Sequence, residues 1–97
     1  MLYAVTCQDK PNMLDTRLAN RPAHLEWADR ADSQIKAGGP LLDQDGHAIG
    51  SLLLVEAANP EALRTYLEQD PYAQAGVFEQ VTFVPFRWTI NPPAEGL

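Results

Sequence analysis

Two residues stand out by type and spacing as candidates for acid–base chemistry, a histidine at position 24 and an aspartate at position 70. At about 100° per residue, His24, Ala28, Ala31 and Ile35 fall on one stripe of a helix. A histidine on that inward face can accept and return a proton near neutral pH. Its plainer role is a half-buried ring bonded to a backbone carbonyl. On a second helix, Leu63, Leu67 and Asp70 share a stripe at i, i+4 and i+7. Asp70 then closes a core-facing row at a helix C-terminus, where the macrodipole disfavours a carboxylate by a few tenths to about 1 kcal/mol. Burial adds to that cost unless a cation or donors meet the charge. A carboxylate short of a partner and an imidazole on the neighbouring helix answer each other. Asp70 would orient the ring and stabilise its protonated form, while a helix N-terminus beneath His24 would favour the neutral ring. The plainer role for Asp70 is an exposed residue that stops a helix.

Other polar residues fit around such a pair. Ser51 lies in an apolar strand, in phase with Ile49, Leu53 and Val55. It is either a small core residue bonded locally or a hydroxyl projecting into a site. No nucleophile-elbow motif surrounds it, so it is read as a donor to a ligand and not as a nucleophile. Arg17 and Arg21 flank the start of the first helix and are either solvated charges or an anion clamp beside His24. Gly39 and Gly50 let backbone approach a ligand, or serve turns and close packing. His47 sits beside a hairpin turn and is expected to be exposed. Cys7 reads as a small core residue rather than a reactive thiol.

The elements that must position these residues follow from the apolar pattern and its punctuation. Met1 to Cys7 is a short apolar run ended by Gln8-Asp9-Lys10-Pro11, which predicts a strand. Residues 12–20 read as a loop containing at most a turn of helix. Pro22 is placed at the first position of a helix over Ala23 to Ala37, with Glu26 and Arg30 four apart in the favourable order and Gly38-Gly39-Pro40 as the stop. Pro40 to Leu42 and Ala48 to Ala57 predict two strands joined at Asp43-Gln-Asp-Gly46. Asn59 caps a second helix with Pro60 at its first position, and Asp70-Pro71 ends it. Tyr72 to Gly76 reads as a turn or scrap of helix. Val77 to Thr89 predicts a last strand that Pro85 confines to an edge or a bulge. Residues 91–97 read as a loose tail.

The order β-α-β-β-α-β predicts a ferredoxin-like α+β domain over residues 1–90, with one antiparallel sheet and both helices on one face. Along the last strand, Phe78, Val84, Phe86 and Trp88 alternate with Val77, Val81 and Phe83. Both faces are apolar, and no element is left to cover the second one. A second copy packed sheet on sheet covers it with twofold symmetry, so a homodimer is expected.

Composition narrows the partners. The hydrophobic fraction of 45% and charged fraction of 21% are those of an ordinary folded domain. A net charge of −6 argues against a nucleic-acid partner and against docking on anionic lipid. The longest uninterrupted apolar run, Leu52 to Val55, is too short to span a membrane. The first residues lack the basic and apolar regions of a signal peptide, and the single cysteine cannot pair within the chain, so a cytoplasmic protein is expected. No Cys/His cluster has structural zinc spacing, and a metal on His24 and Asp70 would need further ligands. No metal and no cofactor are expected.

Several segments together resemble one family. Arg21-Pro22-Ala23-His24-Leu25, Gly39-Pro40, Gly50-Ser51, Asp70-Pro71-Tyr72, Ala75-Gly76-Val77-Phe78-Glu79 and Val84-Pro85-Phe86 resemble the YciI-like, or YCII-related, proteins. The opening Met1-Leu-Tyr-Ala and Gln8-Asp9-Lys10 fit as well, so the resemblance runs from residue 1 to about 88. It implies a ferredoxin-like fold paired into a dimeric α+β barrel. It implies a site around a histidine and an aspartate, which carry over to His24 and Asp70, with Ser51 near the same pocket. A member that removes chloride from a chlorinated hydroxyquinol implies proton-transfer or elimination chemistry without a cofactor.

Two functional readings follow. In the first, a cofactor-independent enzyme of lyase, isomerase or dehalogenase type uses His24 as base and then acid, with Asp70 orienting it. Ser51 and backbone near Gly39 would hold a substrate oxygen, and Arg17 or Arg21 would attract an anionic group of a small, aromatic or anionic metabolite. In the second, the same pocket belongs to a non-catalytic binding or accessory module. A haem or quinone monooxygenase on the same barrel rests on fold analogy alone.

Overall fold

The first strand forms where the apolar run predicts it. In the computed structural model, which describes residues 1–93, β1 covers Leu2–Asp9. Tyr3, Val5 and Cys7 turn to one face and are buried, while Thr6 and Gln8 between them are exposed. The chain then departs from expectation. Helix α1 covers Leu14–Ala28, so residues 14–20, read as loop, are helical, and Pro22 lies inside the helix rather than at its start. A proline there removes one backbone bond and clashes with the preceding turn, at a cost of ~3 kcal/mol or more. Arg17, His24 and Trp27, on either side of it, are buried and hold the helix against the sheet. The helix ends at Asp29, whose N–H bonds to the Leu25 carbonyl.

The residues read as the end of that helix belong to the next strand. Strand β2 covers Ile35–Leu42 and takes in Gly38, Gly39 and Pro40. Sheet order is β2-β3-β1-β4, with β3 spanning Ala48–Glu56 and β4 Phe78–Pro85. Every neighbouring pair is antiparallel. Because β2 is an edge, Pro40 can lack a donor without breaking a central ladder. The hairpin turn falls where Asp43 to Gly46 predicts it. Asp43 Oδ1 accepts from the N–H groups of Asp45 and His47, and Gly46 adopts φ +84°.

Helix α2 covers Pro60–Leu67, capped as expected by Asn59, whose side chain accepts from the Ala62 N–H. Its buried residues Leu63, Tyr66 and Leu67 join Trp27 of α1 and Tyr3, Val5, Leu53 and Val55 of the sheet in one core. Full burial of side chains such as Val5, Val55 and Leu63 stabilises by roughly 1.5–3 kcal/mol each. A short helix α3, Pro71–Gln74, follows directly. Strand β4 ends at Pro85, four residues earlier than predicted, and is the other edge. A bulge opposite Gln8/Asp9 breaks its alternation. Phe78 therefore packs with Phe83 on the helix side, not with Val84 as strict alternation suggested.

The architecture is the predicted ferredoxin-like α+β fold, with the helices on one face of a four-stranded sheet. On the opposite face Leu52, Val84 and Leu41 are exposed. No helix among the described residues is long and apolar enough to cross a membrane. The tail read over 91–97 lies in part, from 94 on, outside the described residues.

Candidate active site

Asp70 owes its position to the break between α2 and α3. It is not the last residue of a helix, as its stripe suggested, but the N-cap of α3. The macrodipole that was expected to oppose its charge is replaced by donors. Asp70 Oδ1 accepts from the Tyr72 N–H at 2.9 Å and meets His24 Nδ1 at 2.8 Å. Its side chain is 1% exposed. His24, in turn, stands near the C-terminal end of α1 rather than in its first turn. The sign of the helix dipole at the ring is thus the reverse of that expected.

These contacts fix the proton on the imidazole. Asp70 Oδ1 already accepts one N–H, and a carboxylate oxygen has no proton to give. His24 Nδ1 is therefore the donor, and in the neutral ring the lone pair lies on Nε2. Tyr72 stacks on the His24 ring, with centroids 4.0 Å apart and planes at 15°. Trp27 packs against the ring at 5.8 Å. Turning the ring over would set a carbon in place of Nδ1 against Asp70, and swinging it away would lose the stack on Tyr72 as well.

Arg17 is not the solvated charge considered from the sequence, although it lines a cleft. It is buried, and it spends its donors inside the chain. Its Nη1 donates to both oxygens of Asp9, at 2.9 and 3.1 Å, and its Nη2 to the Gly50 carbonyl at 2.9 Å and Ser51 Oγ at 2.7 Å. The guanidinium also lies 4.4 Å from the Tyr72 ring centre. An arginine cannot accept, so Ser51 Oγ accepts and its own proton stays free to donate. Gly50 is required here, because a Cβ would run into the Cys7 carbonyl oxygen. Gly39 meets no such obstacle: a Cβ there has nothing within 4 Å.

Burial raises the proton affinity of the neighbours. It lifts the Asp9 carboxyl above its ordinary value by more than the Arg17 charge lowers it. It also lifts the Tyr72 phenol, against the nearby charges of Arg17 and Arg21. Cys7 lies opposite Ser51 in the sheet and is pushed up to about 12, by burial first and the Asp70 charge second. The folded protein thus keeps the Cys7 proton from pH 9, where the free thiol loses it, to about 12. The unfolded chain binds fewer protons in that window, so the stability from Cys7 is full below it and falls as pH rises through it. Iodoacetamide at pH 8 is expected to leave Cys7 unmodified in the folded protein and to label it in urea, read by mass spectrometry.

The candidate residues meet at one cleft. A cavity of about 460 Å³ lies between α1 and the β2–β3 hairpin, and Arg17, Arg21, His24, Gly39, Ser51 and Tyr72 all line it. Asp70 is not among the lining and stands behind the histidine. His47, exposed as expected, forms part of the cleft wall from the hairpin. Sequence reasoning missed Asp9 and Trp27, and saw Tyr72 only as the residue after Asp70-Pro71. A second concavity of about 410 Å³, lined by Trp27, Arg30, Asp32 and Tyr66 among others, holds no histidine.

A family model for the YCII-related domain matches residues 1–87. The chain belongs to the YCII-related family. Protein YciI of Escherichia coli is 34% identical over 95 residues, covering 90% of this chain and 97% of that protein. Among solved structures, a 5-chloro-2-hydroxyhydroquinone dehydrochlorinase from Burkholderia phenoliruptrix, in complex with 2,5-dihydroxybenzoquinone, superposes with a TM-score of 0.77. It is 29% identical, with 99% of each chain covered. An antibiotic biosynthesis monooxygenase, 18% identical with a TM-score of 0.54 and covering 92% and 99% of the two chains, shares the fold alone.

Proposed function

We propose that this YCII-related protein is a cofactor-independent enzyme in which His24 and Asp70 transfer a proton on a small aromatic or anionic molecule. The observation that carries this reading is the 2.8 Å contact between His24 Nδ1 and a buried Asp70, with the ring lining a cleft. Likeness to a dehydrochlorinase supports elimination as the reaction type.

The steps follow from the geometry. His24 Nε2 takes a proton from the substrate, and the bonding pair stays on the substrate. Asp70 meets the imidazolium so formed through Nδ1–H. The Ser51 hydroxyl, backed by the Arg17 cation, donates to a substrate oxygen where negative charge grows. A leaving group departs with the pair of its broken bond, and the imidazolium returns its proton to solvent or product. No electron is gained or lost from outside.

The test uses a panel of hydroxylated aromatics that includes 5-chloro-2-hydroxyhydroquinone. Chloride release or new absorbance with the wild-type protein, absent with His24→Ala, supports the proposal. Turnover that His24→Ala retains in full sinks it.

The enzyme would act in the cytoplasm as a homodimer joined through the open sheet face. Leu52 is 44% and Val84 61% exposed there, an apolar surface that a second copy would cover. Light scattering is expected to give the mass of two chains, and Leu52→Glu with Val84→Glu the mass of one. A monomeric wild-type protein would contradict this.

A further inference from the structure

The chain is acidic, with 13 aspartates and glutamates against 7 lysines and arginines. The cleft at His24 is not. No carboxylate side chain lines it among the described residues, whereas Arg17, Arg21, Lys36, His24 and His47 all do. Arg17 has both terminal nitrogens committed inside the chain, to Asp9, Gly50 and Ser51, and its charge is met by Asp9. Arg21 and Lys36 differ. Both are exposed, and no ion pair among the described residues engages either. They come from different walls, Arg21 from α1 three residues before His24 and Lys36 from β2. Between them the lining is apolar, with Leu18 and Leu25 on one side and Ile35 and Leu42 on the other.

We infer that the cleft takes its substrate as an anion, an aromatic carboxylate or phenolate whose charged oxygen is held between Arg21 and Lys36 while its ring packs on the apolar walls beside His24. This rests on the proton-transfer reading above and adds the substrate's charge to it. An evenly acidic surface would repel such a molecule. A cationic cleft with apolar walls concentrates the field and draws the anion in. Arg21 offers a planar fork for two oxygens and Lys36 a point charge. Anchoring by these two leaves His24 Nε2 and the Ser51 hydroxyl for the reacting atoms. It also decides between the two arginines that the sequence left open: Arg21 is the anion contact and Arg17 is the strut behind Ser51.

The probes are benzoate and 2,5-dihydroxybenzoate against the matching amides, which have the same shape without the charge. Binding is followed by calorimetry and by NMR shifts of residues around His24, at low and at physiological salt. The acids are expected to bind about tenfold tighter than the amides or better, one charged contact being worth about that factor. Raising the salt should shrink the preference. In Arg21→Gln with Lys36→Gln the preference should fall to near unity while the amides bind as before, and both sites are exposed enough for the variant to fold. Equal binding of acid and amide, no binding of the acids, or a preference that survives the double substitution overturns the inference. The two readings fail separately. Turnover that needs His24 without any preference for the acid removes only the anion, and an intact preference with turnover independent of His24 removes the proton-transfer reading.

Discussion

Alanine in place of His24 is expected to lower turnover of the wild-type substrate by about 10²–10⁴-fold, the usual contribution of a positioned proton-transfer group. Deleting the ring also removes its stacking on Tyr72 and Trp27, so some stability goes with it. His24→Gln keeps more of the packing and should lose a similar share of activity. Asp70 variants separate orientation from charge. Asp70→Asn retains an Oδ1 able to accept from both Tyr72 and His24, so the ring stays in place and only the charge is lost. Its turnover should lie between wild type and His24→Ala, with a displaced pH profile. Asp70→Ala frees the ring and removes the α3 cap, which alone is worth about 0.5–2 kcal/mol. It should approach His24→Ala in turnover. Equal activity in wild type and Asp70→Ala would show that the pair is only structural.

The largest effect on stability is expected at Arg17. Arg17→Met strips the buried Asp9 carboxylate of the Nη1 donor that both its oxygens share and leaves the Gly50 carbonyl and Ser51 hydroxyl without their shared Nη2 donor. Breaking one half of a buried ion pair typically costs 3–5 kcal/mol. Domains have only about 5–15 kcal/mol in total, so thermal unfolding should drop steeply, by roughly 4–8 °C for each kcal/mol. Asp9→Asn combined with Arg17→Met removes both charges and should recover much of the loss. The recovery, read as a coupling energy in a double-mutant cycle, distinguishes a buried pair from two independent side chains. Activity should not recover with it, because Ser51 still lacks the Arg17 contact that directs its hydroxyl.

Most of the fold was legible in the sequence because most of its inward residues are apolar. Strand β1, the hairpin at Asp43 to Gly46 and the Asn59-Pro60 start of α2 carry local signals that tertiary packing does not overrule. Helix α1 starts earlier than its sequence signals, because polar residues take inward positions on it. Its buried position before Pro22 is Arg17, so Met13, Leu14 and Leu18 give only a weak apolar hint of helix there. The Pro22 signal for a helix start outweighs that weak pattern. Gly38-Gly39-Pro40 reads as a helix stop and is in fact an edge strand. That position in the sheet is set by partners eleven to fifteen residues away.

The site was legible in part. His24 and Asp70 could be linked because each sat on an inward stripe, and the stripes remained instructive even though both residues lie at different points of their helices than the spacing implied. The roles of Asp9 and Tyr72 arise from contacts with α1 made by other elements, and Trp27 meets His24 one turn along α1, a turn that reads as core rather than as site. Nothing in the spacing separates the two arginines either. Burial does, by locking Arg17 into the sheet and leaving Arg21 at the cleft.

The central claim is that Asp70 holds the His24 proton on Nδ1 and leaves Nε2 as the base facing the cleft. Nitrogen-15 NMR of the histidine rings in the free protein, at a pH where His24 is neutral, tests it without any substrate. The mechanism predicts a protonated Nδ1 and a bare Nε2 for His24, with the Nδ1 proton shifted by its bond to Asp70 and the pattern lost in Asp70→Ala. A neutral His24 carrying its proton on Nε2 would contradict it, because no base would then face the cleft.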